Sequence, residues 1–212
     1  PANGDVAVRN ATFAPPRTGF TLGGTLAGVA GTLRTSGDGF VFTRRTPGSE
    51  VAVPGAAPLI SNASVVHGQD PTLLWMGKND VSVLQWRTAA DKTRAAWAYA
   101  QAHSGRVLVL GHFADADMVP GSAERDAFDR LETAYAADYG ADLVDVEAYV
   151  CSPQIWTDTA TSPTPADLAA QQRGTLPPSL DDGHGQHLSP TAYRAVGQHL
   201  VEPRLRSLGW LP

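Results

Sequence analysis

Three short apolar runs, separated by helical patterns, constrain this chain more than any other feature. They occupy residues 72–76, 106–111 and 142–146. Runs of this length, bounded by turn residues, read as strands buried on both faces, as in a parallel sheet. A helical pattern over residues 88–103 ends near Gly105. Ser122 is placed to cap a second helix, with Phe128, Leu131 and Tyr135 on one face and Gly140 as its stop. Ser189 caps a last helix, with Pro190 in its first turn and Tyr193, Val196 and Leu200 predicted to face inward. Strands alternating with helices predict an α/β fold, a doubly wound parallel sheet in three layers. Such sheets bind ligands at the carboxyl ends of their strands. Chemistry is therefore expected just after Met76, Leu110 and Val146, and before the last helix.

The opening of the chain follows a different pattern. Residues 1–54 are rich in Gly, Thr, Val and Pro, with short alternating runs at 5–8, 18–22 and 39–43. Turns are predicted at Gly23-Gly24 and at Ser36-Gly37-Asp38-Gly39, giving a small antiparallel set of strands. The chain thus divides into a β-rich segment, 1–54, and an α/β domain, 55–212. No phosphate-loop pattern follows the early glycines. Residues 152–180 read as a long polar connection containing prolines, and loops of that length usually carry function.

Charge narrows the partners. Only 17% of residues are charged and the net charge is -5, so there is no basic stripe for nucleic acid. No apolar run approaches the ~20 residues of a membrane helix. Cys151, the single cysteine, excludes an internal disulfide framework and leaves the redox compartment open. No signal-peptide pattern opens the chain, and Pro1 reads as a processed or truncated start.

Two segments fall where the sheet should place its site. Gly77-Lys78-Asn79-Asp80 follows the first run directly. A glycine there can present its backbone N–H to a ligand, and Asn79 can offer a side-chain NH2 to the same point. Two such donors suit an oxyanion, although Gly, Asn and Asp are also ordinary turn residues. The second segment, Asp181-Asp182-Gly183-His184-Gly185-Gln186-His187-Leu188-Ser189, runs into the last helix. A carboxylate beside a histidine fixes the imidazole tautomer and supports its charge during proton transfer. The same acids and histidines could instead bind a metal, or the loop could simply cap the helix.

Together these segments resemble two blocks of the SGNH (GDSL-type) serine hydrolases over about residues 70–212. Gly77-Lys78-Asn79-Asp80 looks like the G-x-N-D block, which implies Gly77 and Asn79 as oxyanion donors. His187-Leu188-Ser189-Pro190-Thr191-Ala192-Tyr193 looks like the way the last block enters its helix, which implies His187 as general base. The family spacing is Asp-x-x-His. Asp181 and His184 keep that spacing; His187 keeps the relation to the helix, and we pair it with Asp182. The resemblance implies an SGNH, flavodoxin-like sheet and an esterase without metal or cofactor. It would remove acetyl or short acyl groups from an ester substrate, an acylated glycan. The compartment is left open; an extracellular or virion-associated setting is compatible.

The family's G-D-S block has no counterpart here. Gly4-Asp5 is followed by Val6 and reads as the start of a strand. Ser36, Ser49, Ser61 and Ser64 lack a strand–turn–helix setting. The nucleophilic serine is therefore expected on a separate N-terminal fragment, with residues 1–54 inserted between two family blocks. Similar Gly/Thr-rich insertions occur in SGNH-like proteins of phage tails and their hosts. The alternative is a catalytically inactive glycan-binding or structural module on the same scaffold. Trp75, Trp86 and Trp97 are assigned to packing, Trp156 to the cleft, and His112 to the site edge. His67, His103 and His199 are assigned to the surface, Asp115 and Asp117 to solvated loops, and Cys151 to a buried small side chain.

Overall fold

The structure, a computed structural model, describes residues 5–8, 19–37, 39–55, 57–82 and 84–211. Pro1, Gly4, Thr18 and Asp38 lie outside the described residues. The chain forms two compact units, Pro1–Gln69 and Asp70–Pro212.

The first unit is an antiparallel sheet of β1 (Asp5–Val8), β2 (Thr21–Leu26), β3 (Val29–Ser36), β4 (Gly39–Arg44) and β5 (Leu59–Ser61), followed by helix α1 (Asn62–His67). Strand order is β1-β4-β3-β2-β5. Gly23-Gly24 does not turn the chain; both residues lie within β2. The turn comes at Ala27 and Gly28, with φ of 48° and 80°. Left-handed backbone at both central residues is what a two-residue hairpin of the right twist requires. The early glycines serve close approach instead: a Cβ on Gly24 would stand 2.5 Å from the Ile60 carbonyl oxygen, and one on Gly31 would strike the Phe42 ring. Leu26, Phe40 and Phe42 are buried in this unit. Because β5 pairs with β2, the first sheet extends beyond residue 54.

The second unit contains β6 (Thr72–Leu74), α2 (Lys78–Ser82), α3 (Trp86–Ser104), β7 (Val107–Leu110), α4 (Ala123–Tyr139) and β8 (Leu143–Val144). After these come α5 (Val146–Val150), α6 (Gln154–Asp158), α7 (Pro165–Gln172), α8 (Pro190–Ala195) and α9 (Glu202–Ser207). Three parallel strands pair in the order β6-β7-β8. All four residues of β7 are buried, and they alternate between faces. Leu108 and Leu110 join Val146, Ile155, Leu180, Ala192 and Val196. Val109 joins Ala89 and Ala90 of α3 and Phe128, Leu131 and Tyr135 of α4. Both faces of the parallel sheet are therefore covered, one by α3 and α4 and the other by elements C-terminal to β8. The protein is mixed α/β, with an antiparallel sheet and a separate three-stranded parallel sheet.

The segment 152–180 is not an open connection. It folds into α6, α7 and a 3-10 turn, Pro178–Leu180. Thr164 caps α7 in a reciprocal capping box with Asp167, which defines the helix start without apolar periodicity. Between α8 and α9 the helix continues as a π segment, Val196–Val201. Pro203 follows and cannot donate a backbone hydrogen bond to the preceding turn, a setting in which the helical register widens. Among the described residues no helix is long and apolar enough to cross a membrane.

Candidate functional site

Chain geometry at the end of β6 builds the first wall of the site. Gly77 has φ of +112°. A Cβ there would lie 3.0 Å from both the Ala89 Cβ and the Tyr135 hydroxyl, so conformation and space both call for glycine. α2 starts immediately: Asp80 and Val81 donate their N–H groups to the Gly77 carbonyl at 3.0 and 3.2 Å. This leaves Asn79 exposed in the first turn.

Behind this wall lies a buried polar network. His112, 2% exposed, donates from Nε2 to the Met76 carbonyl at 2.9 Å. The Tyr135 hydroxyl donates to the same carbonyl at 2.8 Å and lies 2.8 Å from Thr93 Oγ1. Glu132 Oε1 accepts the His112 backbone N–H at 2.9 Å. Burial lowers the His112 pKa to about 4, so the ring is neutral at pH 7. Burial raises Glu132 to about 7.

Lys78 braces the cleft floor. Its Nζ meets Asp115 at 2.5 Å, donates to the Phe113 carbonyl at 2.9 Å and sits 3.7 Å from the Phe113 ring centroid. Burial lowers the Lys78 pKa, and Asp115 opposes that shift. Asp115 is not a solvated loop charge: it is buried, because Lys78 supplies its counter-charge.

The loop bearing His187 is closed at its base like a short hairpin. Asp181 and Leu188 form an antiparallel bridge. Asp182 N–H donates to the His187 carbonyl at 3.0 Å, and Ser189 N–H to that of Leu180 at 2.7 Å. Both carboxylates brace the tip: Asp181 accepts the Gly185 N–H at 2.9 Å, and Asp182 accepts the His184 N–H at 3.1 Å. Ala116 N–H bonds the Gly185 carbonyl at 2.9 Å, tying the loop to the segment after His112. Among the described residues no hydrogen bond joins either carboxylate to either imidazole.

These parts enclose a cleft of about 440 Å³. Gly77, Lys78, Asn79 and Asp80 line it from one segment, His112 and Phe113 from the next, and His187 from the last loop. Trp75 and Tyr193 complete the wall, their rings edge to face at 5.7 Å. Tyr193, predicted to face inward, is 39% exposed on the cleft. His184 is exposed and outside the lining. Trp156, expected at the cleft, is instead packed in the core at 7% exposure, with Nε1 donating to Gln171 at 2.9 Å. No serine, threonine or cysteine lines the cleft among the described residues. Ser61 caps α1, and Cys151 is half-buried with its thiol raised to about 11 by burial. No group of three or more His, Cys, Asp or Glu among the described residues is placed to hold a metal ion.

Sequence reasoning missed Glu132, yet a signal existed. It stands four residues after Phe128 and three before Tyr135, on the apolar face of its helix. A raised acid pKa has a definite consequence. Between its ordinary 4.5 and about 7, the folded chain holds a proton that the unfolded chain releases. The Glu132 contribution is fully present below 4.5 and is lost as pH rises through 7, by about 3 kcal/mol. Glu132→Gln, which still accepts the His112 N–H, should be the more stable form at pH 8 and the less pH-dependent one. Melting curves from pH 5 to 8 with parallel slopes for both proteins would defeat this expectation.

No family model, no curated protein and no solved structure matches this chain.

Proposed function

We propose that the second unit is the histidine- and oxyanion-bearing part of an SGNH-type serine esterase, with that family's doubly wound sheet. It would remove acetyl or short acyl groups from a carbohydrate. One observation carries this reading: Gly77 and Asn79, far from His187 in sequence, line the same cleft. The cleft lies past the end of β6, where α/β sheets bind ligands.

The serine comes from a further polypeptide segment. Its hydroxyl attacks the ester carbonyl as His187 takes the proton. Gly77 N–H and the Asn79 side-chain amide stabilise the tetrahedral oxyanion. His187 then protonates the leaving alcohol, and water repeats the sequence to release the acid. Asp182 keeps the role of orienting His187, which requires its carboxylate to turn from the His184 amide. Trp75 and Tyr193 offer apolar faces to a sugar ring, with Asn79 and Asp80 beside them for its hydroxyls.

A second reading, a glycan-binding module without turnover, is favoured by the lack of a serine, threonine or cysteine in the lining among the described residues and by the use of both aspartates to hold loop amides. The test is mass spectrometry, native and denaturing, after treatment with a fluorophosphonate probe. A labelled polypeptide travelling with the 22.3 kDa chain supports the esterase. A single unlabelled chain that binds acylated glycan without hydrolysing it supports the binding module.

A further inference from the structure

Two donors converge on one backbone carbonyl directly behind the cleft. His112 Nε2–H and the Tyr135 hydroxyl both bond the Met76 oxygen, at 2.9 and 2.8 Å. One strong donor satisfies a carbonyl; a second uses its other lone pair and fixes its direction. Both donors are themselves held. His112 is anchored through its own N–H by Glu132, and Tyr135 is fully buried and paired with Thr93.

The Met76 carbonyl shares its peptide plane with the Gly77 N–H. In a trans peptide the two point in opposite directions. A carbonyl drawn inward by two buried donors therefore turns the Gly77 N–H outward, and Gly77 lines the cleft. That N–H makes no hydrogen bond among the described residues. Glycine at φ +112° is the residue least able to hold such a plane by itself, because no side chain restricts its rotation.

We propose that His112 and Tyr135 are positioning residues: clamping the Met76 carbonyl, they hold the Gly77 N–H aimed into the cleft as an oxyanion donor. This rests on the esterase reading of the cleft and adds two residues to its machinery. A carbonyl can only accept, so His112 carries a proton on Nε2. His112 Nδ1 is buried and makes no hydrogen bond among the described residues, as an unprotonated ring nitrogen would. Burial disfavours the imidazolium, so the clamp holds across the neutral range.

Tyr135→Phe removes one donor with the ring kept, His112→Ala removes the other, and His112→Gln returns a side-chain N–H. The first readout is 15N relaxation of the Gly77 amide in the full chain. The wild type should show a rigid amide, with an order parameter of about 0.85, falling below about 0.6 in Tyr135→Phe and His112→Ala. His112→Gln should recover part of the order. A rigid Gly77 amide in folded Tyr135→Phe and His112→Ala overturns the clamp. The second readout is ester turnover by an unlabelled portion of the preparation in which the fluorophosphonate probe marks a serine. Here kcat should fall roughly 100-fold in Tyr135→Phe with KM nearly unchanged. A loosened amide with unchanged kcat overturns the positioning role. Absence of turnover in the wild type instead overturns the esterase reading and the clamp's catalytic purpose, while relaxation still decides whether the clamp exists.

Discussion

His187→Ala should lower ester turnover by about 10⁴ to 10⁶-fold while leaving the fold intact. Removing the general base of a serine triad costs rates of this order, because the nucleophile loses the group that takes its proton. Stability should barely change. His187 is exposed and its ring makes no hydrogen bond among the described residues, so the substitution belongs with surface changes worth within about 0.5 kcal/mol. The measurement is kcat/KM on a chromogenic acetyl ester, with urea unfolding of the same preparations. His184→Ala is the paired control. Lying outside the cleft lining, it should keep activity within a fewfold. If His184→Ala loses turnover and His187→Ala keeps it, the acid–base pair is Asp181/His184. If neither matters, proton transfer in this cleft does not use an imidazole from this loop. Asp182→Asn should fall between the two, since the carboxylate acts only through the histidine.

The sequence pattern read some parts of this protein well because their physical cause was local. The β7 strand, the cap at Ser122, the stop at Gly140 and the inward set Phe128, Leu131 and Tyr135 each announce themselves within a few residues. The long segment 152–180 reads in sequence as a connection because α6 and α7 are short, and α7 is specified by a capping box rather than by an apolar stripe. Gly23-Gly24 resembles a turn in sequence but lies within β2, because close approach of strands and left-handed backbone call for the same residue. Trp156 shows the same difficulty: a tryptophan in a polar segment looks like a ligand contact until Gln171 is seen to satisfy its N–H.

Of the candidate site, Gly77, Asn79 and His187 stand out in the sequence, and all three line one cleft in the structure. What was not legible lies behind them. The Met76 carbonyl clamp and the Lys78–Asp115 pair join residues distant in the chain, with no sequence spacing to reveal them. A buried acid such as Asp115 looks in sequence like any other loop charge. Its counter-ion decides its environment, and that counter-ion comes from another element.

The largest stability effect expected is at Asp167, a fully buried carboxylate. Asp167→Ala should destabilise the second unit by about 3–4 kcal/mol, since hydrogen bonds to a charged group are strong and buried donors left alone are costly. Its Oδ2 accepts Thr164 N–H at 2.8 Å, Thr164 Oγ1 at 2.7 Å and Ser179 Oγ at 2.8 Å; its Oδ1 accepts Ser179 N–H at 2.8 Å. Burial works to raise its pKa, but the Ser179 and Thr164 donors outweigh it and hold the carboxyl below the ordinary carboxylate range. A depressed folded pKa means stability that is present at neutral pH and is lost as pH falls through the folded value. The gap between wild type and Asp167→Ala in urea midpoints should therefore be widest near pH 7 and narrow in acid. A gap of equal size at pH 7 and pH 3 would show that the charge of Asp167 contributes nothing. The effect should reach the cleft as well. Asp167 fastens α7 to the turn Pro178–Leu180, and Leu180 accepts the Ser189 N–H at the base of the His187 loop. Loosening that turn releases the loop from below, so Asp167→Ala should also reduce turnover under conditions where the chain is still folded.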